Sequence, residues 1–261
     1  MASFSHSCLV RLIDYPEMPL RMNAREVIKA GRSALLVRVE LPISGRMTPV
    51  AYKRIRRLTW IKRLSALPRT NRTLRAWRLG HELLRRGIAT ARPLAVIIPH
   101  RLDVNRASYV VLEWIEGAKN LREWCHSLEL DPNARREKLS AAAVSLGRLL
   151  GHMHAQRVSH RDLKPGNVLL VDAGRAVRSY VIDLDGAELC GRLSSRRRLR
   201  NLSRLVVGLA ELPPIPRTVC LRFLRTYLEA AGDQVGSWKG AWKSLEKTGR
   251  ARTAQKIRRA A

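Results

Sequence analysis

His160-Arg161-Asp162-Leu163-Lys164-Pro165-Gly166-Asn167-Val168-Leu169-Leu170 is the stretch on which the fold turns. It sets a carboxylate, an ammonium and an amide within six residues and then passes into an apolar run. Upstream, Asp131-Pro132 has the form of a helix N-cap followed by proline at the first helical position, and Val144, Leu146, Leu149, Leu150 and Met153 carry the apolar periodicity of a long helix. Downstream, Asp172-Ala173-Gly174 predicts a hairpin turn. The returning strand reads Val181-Ile182-Asp183-Leu184-Asp185-Gly186, which places a second carboxylate sixteen residues beyond Asn167.

The whole chain has 261 residues, 46% of them apolar, enough to bury a core and exclude a disordered class. Its length suits one large domain or two small lobes sharing a cleft. The best apolar runs, 94–98 and 109–112, stop far short of the roughly 18 residues a spanning helix needs, so no membrane crossing is expected. Residues 1–10 lack a basic segment followed by a long apolar one, which argues against secretion. Cys8, Cys125, Cys190 and Cys220 form no C-x-x-C pair, so neither a zinc ribbon nor a disulfide framework is suggested and a reducing cytoplasm is the expected compartment. The net charge of +29 admits nucleic acid, an anionic membrane surface or a small polyanionic substrate. Aromatics at 5% and arginines spread through predicted helices count against nucleic acid.

Phosphoryl transfer needs an acceptor hydroxyl held in line, a cation on the moving group and Mg²⁺ on the phosphate oxygens. Asp162 can orient the hydroxyl and take its proton, and Lys164 can neutralise the phosphoryl group. Asn167 and Asp183 offer hard oxygen ligands suited to Mg²⁺. This set resembles the catalytic loop and metal-binding residues of protein kinases, and the match to HRDLKxxN is complete. In that resemblance His160 is a scaffold residue. Asp185 adds an Asp-x-Asp pair similar to those of small-molecule phosphotransferases; it reads either as a second metal contact or as a solvated turn residue.

Strand-like segments at 27–30, 33–41 and 50–54, with turns at Gly31-Arg32 and across 42–49, predict a small antiparallel sheet. A helix from Thr70 or Asn71 to Arg86 follows, with Leu74, Trp77, Leu83 and Leu84 apolar and Gly87 as its stop. Two further strands at 94–98 and 109–115 flank a polar loop at 100–106. The resemblance then implies that Lys53 of Val50-Ala51-Tyr52-Lys53 reaches the α- and β-phosphates of ATP. Gly31 is the single glycine between the first two strands where relatives carry a glycine-rich loop. Ala76 stands where relatives place the glutamate that pairs with the lysine; Glu82, six residues on, faces about 120° away.

No A-P-E tripeptide follows Asp183, and the chain runs from Asp185 into the basic stretch 192–204, so a peptide-docking platform is expected to be missing. Arg75-Ala76-Trp77 with Leu83 and Gly87, the segments 109–121 and 123–125, 154–170, and 181–184 with Ala187 and Leu189 together resemble the lipopolysaccharide kinase (Kdo/WaaP) family. Residues 222–228 resemble that family's closing helix. The likeness spans roughly residues 25–230. It implies an α+β, bilobal protein-kinase-like fold, with an antiparallel sheet plus one helix in the small N-lobe and a mainly helical C-lobe. It further implies ATP with Mg²⁺ and transfer of the γ-phosphate to a heptose or Kdo hydroxyl of the lipopolysaccharide inner core at the cytoplasmic face of the inner membrane. Glu113 and Ile115 would present backbone groups to adenine.

The expected organisation is an N-terminal extension (1–24), an N-lobe (25–115), a C-lobe (116–235) and a basic tail (236–261). In the tail, Trp238, Trp242 and Leu245 share one helical face beside Lys239, Lys243 and Lys247, a pattern that suits either an interfacial helix on anionic lipid or tryptophans packed on the C-lobe. Other readings are a serine/threonine protein kinase, a small-molecule kinase, and a pseudokinase-like binding module suggested by Ala76 and the lone Gly31.

Overall fold

A computed structural model describes residues 4–31, 34–56, 72–98, 107–128, 131–232, 239–240, 243 and 245–247. Packing divides the chain into one unit of residues 1–82 and 91–115 and a second of residues 83–90 and 116–261.

The first unit is built on five antiparallel strands: β1 (Glu26–Ala30), β2 (Ala34–Ile43), β3 (Arg46–Ile55), β4 (Pro93–Ile97) and β5 (Ser108–Glu113). They lie in the order β1-β2-β3-β5-β4, so β3 is central and carries ladders on both sides. The turn expected across 42–49 is shorter. Strands β2 and β3 pair from Ala34↔Ile55 to Ile43↔Arg46 and leave only Ser44-Gly45 as the loop. Both loop residues have positive φ, 49° and 77°, the twist-compatible backbone of a two-residue hairpin. Pro49 is tolerated in β3 because the ladder to β5 begins one residue later, at Val50↔Glu113.

Val37, Val39, Leu41 and Ile43 alternate inward along β2 and meet Val50 and Tyr52 of β3 in the core. Residues set apart in the sequence as an extension pack into this core. Helix α1 (His6–Asp14), capped by Ser5, contributes Cys8 and Leu12, and α2 (Met18–Arg21) contributes Leu20. Tyr52 donates from its hydroxyl to the Pro16 carbonyl at 2.9 Å, and Glu17 accepts from Arg54 at 2.8 Å and from the Tyr109 hydroxyl.

Helix α3 (Arg72–Arg85) ends as its sequence predicts, although the capping position at 70–71 lies outside the described residues. Gly87 has φ 72°, its N–H bonds Leu84 O at 3.0 Å and the Ile88 N–H bonds Leu83 O at 2.9 Å, the paired bonds of a glycine-terminated helix.

The second unit contains β6 (Lys119–Asn120), α4 (Leu121–His126), α5 (Pro132–Ala155), β7 (Val158–His160), β8 (Val168–Ala173), β9 (Ala176–Val181), β10 (Ala187–Leu189), α6 (Ser195–Leu209) and α7 (Arg217–Ala231). Asp131 caps α5 through Oδ1, which accepts from the N–H groups of Asn133 and Ala134, and Pro132 opens the helix. The β8–β9 turn sits at Gly174-Arg175, later than expected, because Asp172 remains in the ladder opposite Val177. Its carboxylate there accepts from Trp124 Nε1 at 3.2 Å and Lys138 Nζ at 3.0 Å.

Helices α5 and α7 meet at two glycines. A Cβ on Gly147 would lie 2.8 Å from Phe223 O, and one on Gly151 2.5 Å from Tyr227 O. Among the described residues, no helix is long and apolar enough to cross a membrane.

Candidate active site

The loop that carries Asp162 and Lys164 leaves β7 at His160 and closes through a 3-10 turn at Pro165–Asn167. Lys164 Nζ donates to Asp162 Oδ2 at 2.7 Å. Asn167, only 3% exposed, donates from Nδ2 to the Asp162 carbonyl at 2.8 Å and to Asp162 Oδ2 at 3.0 Å. Both bonds use Nδ2. Asp162 keeps half its side chain exposed.

The acidic strand end is fastened to this loop. Ile182 donates from N–H to Asn167 O at 3.0 Å, and its carbonyl accepts from His160 Nε2 at 3.1 Å. A carbonyl only accepts, so His160 carries its proton on Nε2. Arg161 donates from N–H to Gly186 O at 2.8 Å, and Ala187 pairs with His160 across β7 and β10. A Cβ on Gly186 would sit 3.3 Å from both Asp162 Cβ and N, so glycine lets the turn approach. Asp183, held between these fastenings, takes a left-handed backbone (φ 59°, ψ 59°), uncommon outside glycine and more frequent for Asp and Asn. Asp185 lies in the following 3-10 turn.

Behind the loop stands Asn201 of α6, 1% exposed, a residue that carries no motif. Its Oδ1 accepts from the His160 N–H at 2.9 Å, the Ser159 hydroxyl at 3.3 Å and His154 Nε2 at 3.3 Å. With Nε2 donating, His154 Nδ1 accepts from the Tyr227 hydroxyl at 2.7 Å, which ties α5, α6 and α7 to the strand leading into the loop. Gly208 brings α6 onto Pro165: a Cβ there would lie 2.3 Å from the ring Cδ.

Burial pushes the His154 imidazole down to about 3, with the neighbouring Arg198 guanidinium and His160 lowering it further, and burial lowers His160 as well. In the unfolded chain these rings take up protons near pH 6.5, whereas His154 in the fold stays neutral until about 3. The unfolded state therefore binds more protons between those limits, and stability falls as pH drops through that window. The slope is at most about 1.4 kcal/mol per pH unit per histidine. Urea midpoints at pH 7, 6 and 5 should decline steadily, and a flat profile would contradict the neutral pair.

In the first unit Lys53 lies near the C-terminal end of β3, opposite Leu36 on one side and Val110 on the other. Gly31 follows β1 and donates its N–H to Ala34 O at 2.9 Å, while Arg32 and Ser33 lie outside the described residues. Glu113 ends β5 with its N–H on Arg92 O at 2.8 Å, and Ile115 lies beyond the ladder. Ala76 and Glu82 both belong to α3. In the tail Leu245 is buried and Lys239, Lys243 and Lys247 are exposed, whereas Trp238 and Trp242 lie outside the described residues.

An antiparallel sheet packed with helices, and a mainly helical unit carrying this loop and acidic strand end, define a protein-kinase-like fold. It aligns with a solved structure of WaaP in complex with acyl carrier protein over 95% of this chain and 99% of that one, with a TM-score of 0.62 at 22% identity. The chain belongs to the lipopolysaccharide kinase (Kdo/WaaP) family, whose profile matches residues 51–227. It is 29% identical over 142 residues to a 3-deoxy-D-manno-octulosonic acid kinase of Xylella fastidiosa (strain 9a5c), covering 54% of this chain and 51% of that one. A protein of the same description from Haemophilus influenzae (strain 86-028NP) is 28% identical over 145 residues, 55% of each chain. The chain thus spans about half the length of the curated relatives it matches.

Proposed function

We propose that the chain transfers the γ-phosphate of ATP to a sugar hydroxyl of the lipopolysaccharide inner core, Kdo or heptose. The observation that carries this reading is the Asp162–Lys164–Asn167 cluster fastened to the strand end that bears Asp183. Asp162 holds the acceptor hydroxyl and takes its proton at a carboxylate oxygen. Lys164, already 2.7 Å from that carboxylate, steadies it and presents positive charge to the departing phosphoryl group. Lys53 is assigned to the α- and β-phosphates, Gly31 to the turn over them, and Glu113 and Ile115 to adenine through their backbone.

The donor set also fits Mg²⁺. Among the described residues no group of three His, Cys, Asp or Glu could hold a metal alone. Mg²⁺ usually takes only one or two carboxylates and completes its shell with water and substrate phosphates. Asn167 and Asp183 would hold it, and when bound it offsets the charge on the phosphate oxygens. The family assignment supports a glycolipid acceptor, and in this reading the enzyme works peripherally at the cytoplasmic face of the inner membrane, where its cations favour an anionic leaflet.

Nucleotide binding tests the site apart from turnover. Titration calorimetry with ATP should show tighter binding when Mg²⁺ is added, and Asp183→Ala should remove that gain, at least about tenfold or ~1.4 kcal/mol. Equal Mg²⁺ enhancement in the variant would remove Asp183 from the metal site.

A further inference from the structure

A cavity of about 400 Å³ opens in the second unit, lined by Arg161, Arg192, Ser194, Arg197, Arg200, Asn201 and Arg204. That volume lies in the range of small-ligand sites, roughly 300–1,000 Å³. Glu188 pairs with Arg197 and lies 3.6 Å from Arg161. Five arginines thus converge on one concave site. Like charges repel by about 1 kcal/mol per pair at 4 Å even in bulk water, so converging them is unfavourable unless an anion enters. Guanidinium forks match phosphate and carboxylate oxygens two at a time.

The position of the cavity says which anion. Arg161, the chain neighbour of Asp162, lines it, so the cavity adjoins the loop that carries Asp162. The nucleotide phosphates already have Lys53, Asn167 and Asp183. We propose that the cavity seats an oxyanion of the phosphate acceptor itself, a phosphate or carboxylate carried near the reacting hydroxyl, and so selects anionic glycolipids. This rests on the acceptor reading given under Proposed function.

Arg192 and Arg200 are exposed, so replacing both leaves the core untouched. Initial rates of transfer from ATP to Kdo-terminated lipid A should show the Arg192→Ala/Arg200→Ala variant with an acceptor KM raised at least about tenfold, kcat little changed and the KM for ATP unaltered. Replacing both by Lys should recover part of the loss. Inorganic phosphate should inhibit the unaltered enzyme competitively against the acceptor and inhibit the alanine variant much less. An unchanged acceptor KM, or phosphate competing only against ATP, would overturn the pocket assignment while leaving the function standing. If the unaltered enzyme binds Mg·ATP yet phosphorylates no Kdo glycolipid, the acceptor reading falls and this assignment with it.

Discussion

Asp162→Asn lowers phosphate transfer by about 10²–10⁴-fold, the usual cost of removing a general base. The amide matches the carboxylate in shape, so the exchange isolates chemistry from packing. The main-chain bond from Asn167 Nδ2 to the Asp162 carbonyl at 2.8 Å survives, and so do the ties of Ile182 to Asn167 and His160. What disappears is an oxygen able to take the hydroxyl proton and the charge that draws Lys164 to 2.7 Å. The KM for ATP should move little, because the nucleotide is held by other residues. Steady-state rates with saturating acceptor read the effect, and a kcat within threefold of the unaltered enzyme would remove Asp162 from the chemistry.

Gly151→Ala destabilises the fold although it improves helix propensity. Alanine in a helix interior gains about 1 kcal/mol over glycine. The added methyl, however, would lie 2.5 Å from Tyr227 O and 2.6 Å from Ala230 Cβ, backbone and a short side chain that cannot swing aside. Overpacking of this kind costs about 1–3 kcal/mol and sometimes more, so the clash wins. The displaced α7 also carries the Tyr227 hydroxyl that bonds His154, and through Asn201 the disturbance reaches the His160 N–H. A lower urea midpoint is expected. A midpoint at or above that of the unaltered chain would mean the two helices do not meet as closely as the structure has them.

Much of this was legible in the chain because its strongest signals are local. Asp131-Pro132, Gly87 and the apolar alternation of β2 act within a turn or two, and each element formed near its expected place. The proposed catalytic run is likewise contiguous, so residue spacing alone brings Asp162, Lys164 and Asn167 together. Long-range pairings were not legible. Asn201 is one polar residue in a helix full of them, and only folding sets it under His160. Gly147, Gly151, Gly186 and Gly208 leave no hydrophobic signal, since what they supply is the absence of a side chain where another element approaches. Residues 4–24 looked peripheral because α1 and α2 are short, yet Cys8, Leu12 and Leu20 belong to a core formed by strands far along the chain. The hairpin between β2 and β3 was read too wide because two prolines suggested a loop, whereas the positive-φ pair Ser44-Gly45 closes it in two residues.

Part of the charge of +29 lies in the five arginines that line one cavity of the second unit, the proposed seat of an oxyanion. That arrangement favours a small anionic substrate over nucleic acid, which would call for a long basic stripe with aromatic platforms.

The most direct measurement is product identification. The purified chain is incubated with Mg²⁺ and ATP labelled at its γ-phosphate, in parallel with fractionated envelope glycolipids and with a protein fraction, and the labelled product is degraded to locate the phosphate. The account predicts label on a Kdo or heptose hydroxyl of a core glycolipid, abolished by Asp162→Asn. Label confined to serine or threonine of proteins, or Mg·ATP bound with no transfer to any fraction, would contradict it.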